Sequence, residues 1–201
     1  MTNAGERLAR AIAAIDAANA GDPETIVVRG ERRPKEQAHA ELMTEWLGVL
    51  DPAAGDEQLL AARAHHLRRW SIPRSQYPDG RAGYLRWRNA LSRQHATEVA
   101  TILEAAGYPP ETITRVQQLI RKEGLGRDPD VQAHEDARCL VFVETQLADL
   151  VARLGHDRAV EVVAKTLRKM SPAAIGHARS IPLPDPARSV FVQAMAVTEK
   201  P

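Results

Sequence analysis

The chain has 201 residues, of which 44% are hydrophobic and 26% are charged, and its formal net charge is +1. This composition is typical of a folded globular protein and excludes a largely disordered one, and the small net charge gives no global field for nucleic acid or membranes. The single Cys139 excludes an intramolecular disulfide framework and favours a reducing, cytoplasmic location.

The hydrophobic pattern has a period of about 3.6 residues over most of the chain, which predicts an all-α protein. "TIVV" (25–28) is the one strand-like stretch and is too short to carry a sheet. Turn sequences such as "GDP" (21–23) and "GYPP" (107–110) separate the helices. We expect helices at about 3–20, 35–50, 56–70, 81–106, 110–123, 130–153, 156–170 and 185–197.

These helices are expected to form one compact multi-helix bundle over residues 1–201. Its core covers about 3–170, and the last helix, at about 185–197, docks on that core. No apolar run approaches the roughly 18 residues that a membrane span needs, so no membrane partner is expected. The first twenty residues include acids and lack the apolar region of a signal peptide, so we interpret them as helix.

Several predicted helices place a titratable side chain among apolar neighbours. Because successive helical residues advance by about 100°, His95 shares a face with Leu91 and Val99, and Asp136 shares a face with Leu140. A buried carboxylate is costly unless a partner compensates its charge. His95 and Asp136 are therefore candidates for a polar or metal-binding site in the core.

Two further helices add candidates of the same kind. Glu36 and His39 lie on the apolar face of the helix at about 35–50. In "AHHL" (64–67), His66 borders an apolar arc, whereas His65 falls on the polar side and is expected to be solvated; a modest rotation of the helix would exchange them. Imidazole and carboxylate groups bind Zn, Mn or Fe. The alternative is that these residues are ordinary hydrogen-bonded core side chains and that Asp136 pairs with an arginine.

Residues 63–93 combine eight arginines with a single acid and with interleaved aromatic residues. Guanidinium groups bind phosphate and carboxylate, and aromatic faces stack on bases. The segment predicts an anionic small molecule or a nucleotide as the ligand, with RNA as an alternative. A solvated basic face with structural ion pairs would explain the tryptophans poorly. The candidate binding residues are Arg69, Arg74, Arg81, Tyr84 and Arg88.

The segments "AARAHHLRRWSIPR", "YPDGRAGYLRWRNAL" and "RVQQLIRKEGLGRDPDVQAHEDARCLVFVE" resemble the DUF4202 family, which has no settled function, over about residues 10–195. More distantly, the chain resembles the HD superfamily of metal-dependent phosphohydrolases. In that superfamily a first His, a His-Asp doublet, further histidines and a late Asp come from successive helices. The resemblance implies an HD-like fold with four metal ligands, His39, His66, His95 and Asp136.

The chain departs from the HD pattern at two positions, and the departures imply one divalent ion or none. His-His replaces the His-Asp doublet, so the bridging carboxylate is missing, and Lys122 stands where a further His is often found. The resemblance implies hydrolysis of a phosphorylated substrate, with Glu36 or Glu135 as the general base and Lys122 among the substrate-binding residues. Oxygenation at iron is a variant of the same class.

A non-catalytic function is the alternative to an enzyme. The chain could be a non-catalytic module that binds an anion, RNA or a partner and keeps a degenerate HD-like site. We expect a monomer or a homodimer.

Overall fold

A computed structural model describes residues 3–198. These residues are mainly α-helical, with one small two-stranded sheet, which confirms the predicted all-α class. They divide into two compact units, Met1–Gly124 and Leu125–Pro201. Within the described residues, no helix combines the length and apolar character needed to cross a bilayer.

The elements of the first unit are α1 (Asn3–Asn19), β1 (Thr25–Val28), β2 (Glu31–Pro34), α2 (Lys35–Leu50), α3 (Asp56–Arg63), α4 (Gly80–Ala105) and α5 (Pro110–Arg121), with 3₁₀ turns at Arg69–Ser71 and Arg74–Gln76. This unit is built around the contacts of α3 with α1, α2 and α5, and of α4 with α5. Fully buried leucines from four of these helices fill its core, namely Leu47, Leu60, Leu103 and Leu119.

The strand-like stretch "TIVV" forms β1 and pairs with β2 in an antiparallel hairpin, with Thr25 opposite Pro34. Arg29 and Gly30 connect the strands with positive φ angles of 51° and 87°, as a tight hairpin turn requires. The expectation that this stretch carries no sheet is therefore wrong. The partner strand, "ERRP", has three charged residues and no apolar alternation, so its pairing comes from the turn and the backbone.

The second unit contains α6 (Pro129–Thr145), α7 (Leu147–Leu154), α8 (His156–Leu167), α9 (Pro172–Ser180) and α10 (Ala187–Thr198). The last helix, α10, packs against α8 and α7 and buries Val190, Phe191 and Met195. α6 packs against α9.

Three helix predictions differ from the structure. The helix expected at 56–70 ends at Arg63, because the chain turns from Ala64 and Arg68 adopts a left-handed conformation with φ 48°. The helix expected at 130–153 is two helices, divided at Gln146, whose φ of −126° is not helical. α9 was not predicted because "PAAIGHARS" has little apolar periodicity; Ser171 caps it by accepting a hydrogen bond from the Ala174 amide.

Candidate metal centre

Three side chains of the first unit bring potential ligand atoms together. Glu36 and His39 lie on α2, and His66 lies in the loop after α3. One ligand atom of each lies within 4.8 Å of those of the other two. Glu36 Oε2 lies 3.2 Å from Nδ1 of His39 and 2.9 Å from Nδ1 of His66. The two α2 residues are buried, and 21% of the His66 side chain is exposed, so the cluster can be reached from solvent at His66.

His95, on α4, lies beside this cluster, with its ring centroid 6.0 Å from that of His66. Its Nδ1 lies 2.8 Å from the Leu67 carbonyl oxygen. Because a carbonyl only accepts, Nδ1 carries the proton and Nε2 carries the lone pair. This Nε2 is buried and has no hydrogen-bond partner among residues 3–198. Metal-binding histidines commonly donate their other ring N–H to a carbonyl or carboxylate in this way.

At neutral pH the histidines His66 and His95 are neutral and Glu36 is ionised. Burial lowers the pKa of His66 to about 3 and that of His95 to about 4, because desolvation disfavours the charged ring. Burial would raise the pKa of Glu36, but its contacts with His66 and His39 outweigh this and hold the pKa well below its ordinary value. An ionised carboxylate only accepts, so His66 donates from Nδ1 and keeps its lone pair on Nε2.

Asp22 and Asn19 position the cluster, and neither was identified from the sequence. Asp22 accepts hydrogen bonds of 2.9 Å from the amides of Glu24 and Glu36, which fixes the start of α2. Asn19 accepts a 2.9 Å hydrogen bond from the amide of Arg68 and so holds the left-handed turn after the histidine pair. Both side chains are buried. Asp22 belongs to "GDP" (21–23) and Asn19 lies two positions before it, which is the sequence signal of any helix end.

Arg69 places a positive charge against the cluster. Its Nε lies 3.7 Å from Glu36 Oε1, and its Cζ lies 4.8 Å from the centre of the Trp87 ring. Trp87 is held in turn by a 2.8 Å hydrogen bond from Nε1 to the Ile72 carbonyl. Burial lowers the pKa of Arg69; Glu36 opposes this shift and Arg88 adds to it, and the guanidinium remains charged at neutral pH.

An aromatic and arginine surface continues from Arg69 along α4. The Tyr84 and Trp87 rings lie 5.9 Å apart, and the Arg88 Cζ lies 5.9 Å from the Tyr84 ring. Tyr84 is 42% exposed, and Arg88 is exposed as well. This surface offers a ring face and a guanidinium to a ligand.

The other predicted binding residues of the first unit have different surroundings. Arg74 donates to the carbonyls of Tyr77 and Pro78, at 2.7 and 3.0 Å, and so holds a turn. Arg81 is exposed near the start of α4, and Lys122 follows α5 with a left-handed φ of 59°.

The turn that Arg74 holds packs directly against α4 at Gly83. A Cβ on Gly83 would lie 1.8 Å from the Pro78 carbonyl oxygen. Only glycine therefore permits this contact between the turn and the helix.

The predicted site residues Glu135 and Asp136 lie on α6 in the second unit, and both are buried. Arg138 forms a bidentate ion pair with Glu135, in which Nε donates to Oε2 at 2.9 Å and Nη2 donates to Oε1. Asp136 Oδ1 accepts 2.9 Å hydrogen bonds from the Gln132 side chain and the Ser171 amide. The structure thus brings Glu36, His39, His66 and His95 together in the first unit, and the metal and general-base roles of the α6 residues stay predictions.

The histidine pair differs from the helical pattern. His66 contacts Glu36, but His65 is only 9% exposed, so the expectation that His65 is solvated is wrong. The helix ends before the pair, and the turn that follows buries one ring and stacks the two at 4.2 Å between centroids. A helical projection therefore does not apply to these two residues.

With this geometry in place, comparison with known proteins gives one match. A family described as a domain of unknown function, DUF4202, matches residues 9–191. The chain belongs to DUF4202. No curated protein and no solved structure matches it. The match spans every residue of the cluster as well as Glu135 and Asp136, so the candidate site lies inside the DUF4202 domain.

Proposed function

We propose that this DUF4202 protein is a metal-dependent hydrolase that acts on a phosphorylated or otherwise anionic small molecule or nucleotide. The observation that carries the proposal is the buried His95 Nε2, which has a lone pair and no hydrogen-bond partner among the described residues, beside Glu36, His39 and His66. A buried polar atom left without a partner costs about 1–3 kcal/mol. A bound cation would remove that cost.

The donor set fits one divalent ion of Zn, Mn or Fe. Imidazole nitrogens and a carboxylate oxygen suit all three metals. His66 and His95 would bind through Nε2, with His39 as a third imidazole. The HD-type resemblance adds Asp136 as a ligand, and this stays part of the proposal. A metal ion here would lower the pKa of a bound water toward neutrality.

Glu36 is the proposed general base that lies within the cluster. It is ionised, and it accepts a hydrogen bond from the neutral His66. Glu135 lies on α6, where both of its carboxylate oxygens pair with Arg138. Through its contacts with His66 and His39, Glu36 would also orient these imidazoles.

The charge and aromatic surface beside the cluster supports an anionic substrate. Arg69 and Arg88 would bind its phosphate or carboxylate, and Tyr84 would contact its apolar or planar part. Arg81 and Lys122 extend the positive charge. Arg74 contributes by holding the turn next to this surface.

Metal content is the first test. The full-length protein is purified without a chelator or an affinity metal, and metal is measured by inductively coupled plasma mass spectrometry. We expect near-stoichiometric metal in the wild type and its loss in His66→Ala, His95→Ala and Asp136→Ala. Glu36→Gln should weaken metal binding by about 10–100-fold, the usual effect of losing a group that orients a ligand.

His156→Ala is the matched control, because this histidine is exposed on α8, and the variant should keep its metal. Absence of metal from the wild type, even after reconstitution, would overturn the proposal. A metal-loaded protein is then assayed with phosphomonoesters and phosphodiesters, and Arg69→Gln should raise KM about tenfold or more. If the metal is iron, oxygen consumption is measured as well.

A non-catalytic anion- or RNA-binding module is the second candidate, and the exposed Tyr84 and Arg88 favour it. Such a module would bind RNA with an affinity that falls steeply with salt, since phosphate contacts release counterions. RNA binding by metal-free protein, weakened by Arg88→Gln and by Tyr84→Ala, would support this function over hydrolysis.

A further inference from the structure

The loop after α3 is held at neighbouring backbone groups by side chains from two helices. On α1, Asn19 accepts a 2.9 Å hydrogen bond from the Arg68 amide. On α4, His95 donates to the Leu67 carbonyl at 2.8 Å. These two contacts hold the peptide group between Leu67 and Arg68, directly after His66. They therefore fix the end of the loop that carries a candidate metal ligand.

Gln94, the residue before His95, holds the next part of the same loop. Its Nε2 donates to Ser71 Oγ and to the Arg68 carbonyl oxygen, which lies 3.5 Å away. The Arg68 carbonyl directly precedes Arg69, and Ser71 follows Arg69 by two positions. The two contacts of Gln94 therefore span the 3₁₀ turn, Arg69–Ser71, that carries the Arg69 guanidinium.

The contacts of Gln94 depend on the donor end of its amide. Nε2 also donates to Glu98 Oε1 at 2.8 Å, one turn further along α4. A carbonyl oxygen accepts and has no proton to donate, so the amide nitrogen must face the loop. The amide oxygen of Gln94 is buried and has no hydrogen-bond partner among residues 3–198. The orientation that keeps the loop contacts is thus adopted although it leaves the oxygen unpaired.

The backbone that Gln94 holds is unusual, and it determines where Arg69 lies. Arg68 has a left-handed φ of 48°, which is uncommon for a residue with a side chain and persists where the surroundings hold it. Within residues 3–198, the two terminal nitrogens of Arg69 form no hydrogen bond, so they are available for an anion. A guanidinium binds phosphate well only when its own position is fixed by supporting contacts.

We propose that Gln94 is a positioning residue for the anion site. It holds the Arg69–Ser71 turn so that the Arg69 guanidinium is in place for the phosphate of the substrate, and it acts through Arg69 without touching the substrate or the metal. This inference rests on the proposed function, because it takes Arg69 as a phosphate-binding residue. Asn19 holds the preceding peptide, so its loss affects His66 and the metal, whereas loss of Gln94 affects affinity for the anion.

Inorganic phosphate is the probe, and its affinity for the full chain is measured by isothermal titration calorimetry. Gln94→Met keeps the length of the side chain and removes its donor. We expect this variant to bind phosphate about 3–10-fold more weakly, the effect of losing one ordinary hydrogen bond. Its metal content should equal that of the wild type. In assays of hydrolysis, KM should rise by a similar factor while kcat stays near the wild-type value.

Ser71 tests the same contact from the other side. Ser71→Ala removes the hydroxyl that accepts from Gln94, so it should weaken phosphate binding to a similar extent. Ser71→Thr keeps a hydroxyl and should keep most of the affinity. Ser71 is exposed, so both variants should fold.

Gln117→Met is the matched control. Gln117, on α5, donates from Nε2 to the Ala96 carbonyl at 2.8 Å, so this substitution also removes a hydrogen bond from a glutamine to a backbone carbonyl. In urea denaturation it should lower the free energy of unfolding about as much as Gln94→Met does. Its affinity for phosphate should be that of the wild type. A merely structural role of Gln94 would make the two variants alike in both measurements.

The double variant Arg69→Gln/Gln94→Met tests whether Gln94 acts through Arg69. A positioning residue has no further effect once the residue that it positions is removed. The double variant should therefore bind phosphate as weakly as Arg69→Gln alone, whereas independent contributions would add.

Three results would overturn the proposal. They are a wild type that does not bind phosphate, a Gln94→Met variant that binds phosphate as tightly as the wild type, and losses of affinity that add in the double variant. A wild type that binds phosphate but has neither metal nor activity would overturn the hydrolase, and the phosphate measurements would still decide the role of Gln94. An active metalloenzyme without the Gln94 effect would overturn the positioning role alone.

Discussion

Glu36 and Glu135 are both buried carboxylates, 4% and 1% exposed, and one lies in each unit, but their partners differ in kind. Glu36 contacts the imidazoles of His39 and His66, whereas Glu135 pairs with the guanidinium of Arg138. A guanidinium has only donors, so it neutralises the carboxylate and has no lone pair for a metal. An imidazole that donates from Nδ1 keeps a lone pair on Nε2. A buried acid therefore does not indicate a metal site by itself. Its partner must also have a lone pair that can bind a metal.

The largest expected effect is on the free energy of unfolding when Glu135 loses its ion-pair partner. Arg138→Met would leave the Glu135 carboxylate buried without its ion-pair partner, and breaking a buried pair in this way costs about 3–5 kcal/mol. Urea denaturation should show this loss in the free energy of unfolding. Glu135→Gln/Arg138→Met should recover most of it, because no buried charge remains. Equal stability of the single and double variants would show that Glu135 does not depend on Arg138.

The second prediction concerns how the free energy of unfolding depends on pH through His95, which lies beside Glu36. It is measured with a chelator present. The pKa of His95 is about 4 in the folded protein and 6.5 in a model peptide. Between these values the unfolded chain binds a proton that the folded chain does not, so stability falls as pH falls from 6.5 to 4. Since one pKa unit corresponds to about 1.4 kcal/mol, His95 alone carries a loss of about 3 kcal/mol.

The measurement is urea denaturation at a series of pH values for the wild type and His95→Gln. The variant should lose less stability across this window, because glutamine does not titrate. Parallel curves for the two proteins would contradict a neutral, buried His95.

The smallest expected effect is the loss of stability when an aspartate at the start of α2 or of α6 is removed. Asp22 accepts from the Glu36 amide near the start of α2, and Asp128 accepts from the Asp130 and Val131 amides at the start of α6. Loss of such a capping side chain costs about 1 kcal/mol, so Asp22→Ala and Asp128→Ala should destabilise the protein similarly. Of the two variants, only Asp22→Ala should also weaken metal binding, because it removes the hydrogen bond that holds the backbone amide of Glu36. A similar loss of metal in both variants would show that metal retention follows overall stability and not the geometry at α2.

The sequence predicts the helical parts of the site better than its loops. The apolar faces that predict Glu36, His39 and His95 to point toward the core belong to uninterrupted helices, α2 and α4. All three residues are buried there. The histidine pair lies beyond the end of α3, where left-handed Arg68 breaks the helical period, so its geometry could not follow from a projection. Asn19 and Asp22 could not be recognised because their partners, the amides of Arg68 and Glu36, are backbone groups that any residue would supply.

The hydrogen bond between Asn19 and the Arg68 amide joins residues 49 positions apart, and the ion pair of Asp16 with Arg63 nearby spans 47. Non-local contacts of this kind require a long loop to close before they contribute any stability, which slows their formation relative to single helices. We therefore expect the α2 ligands and the histidine loop to meet late in the folding of the first unit. A nascent or partly unfolded chain would contain all the ligands of the candidate centre and yet have no centre, so metal loading would report completed folding of this unit.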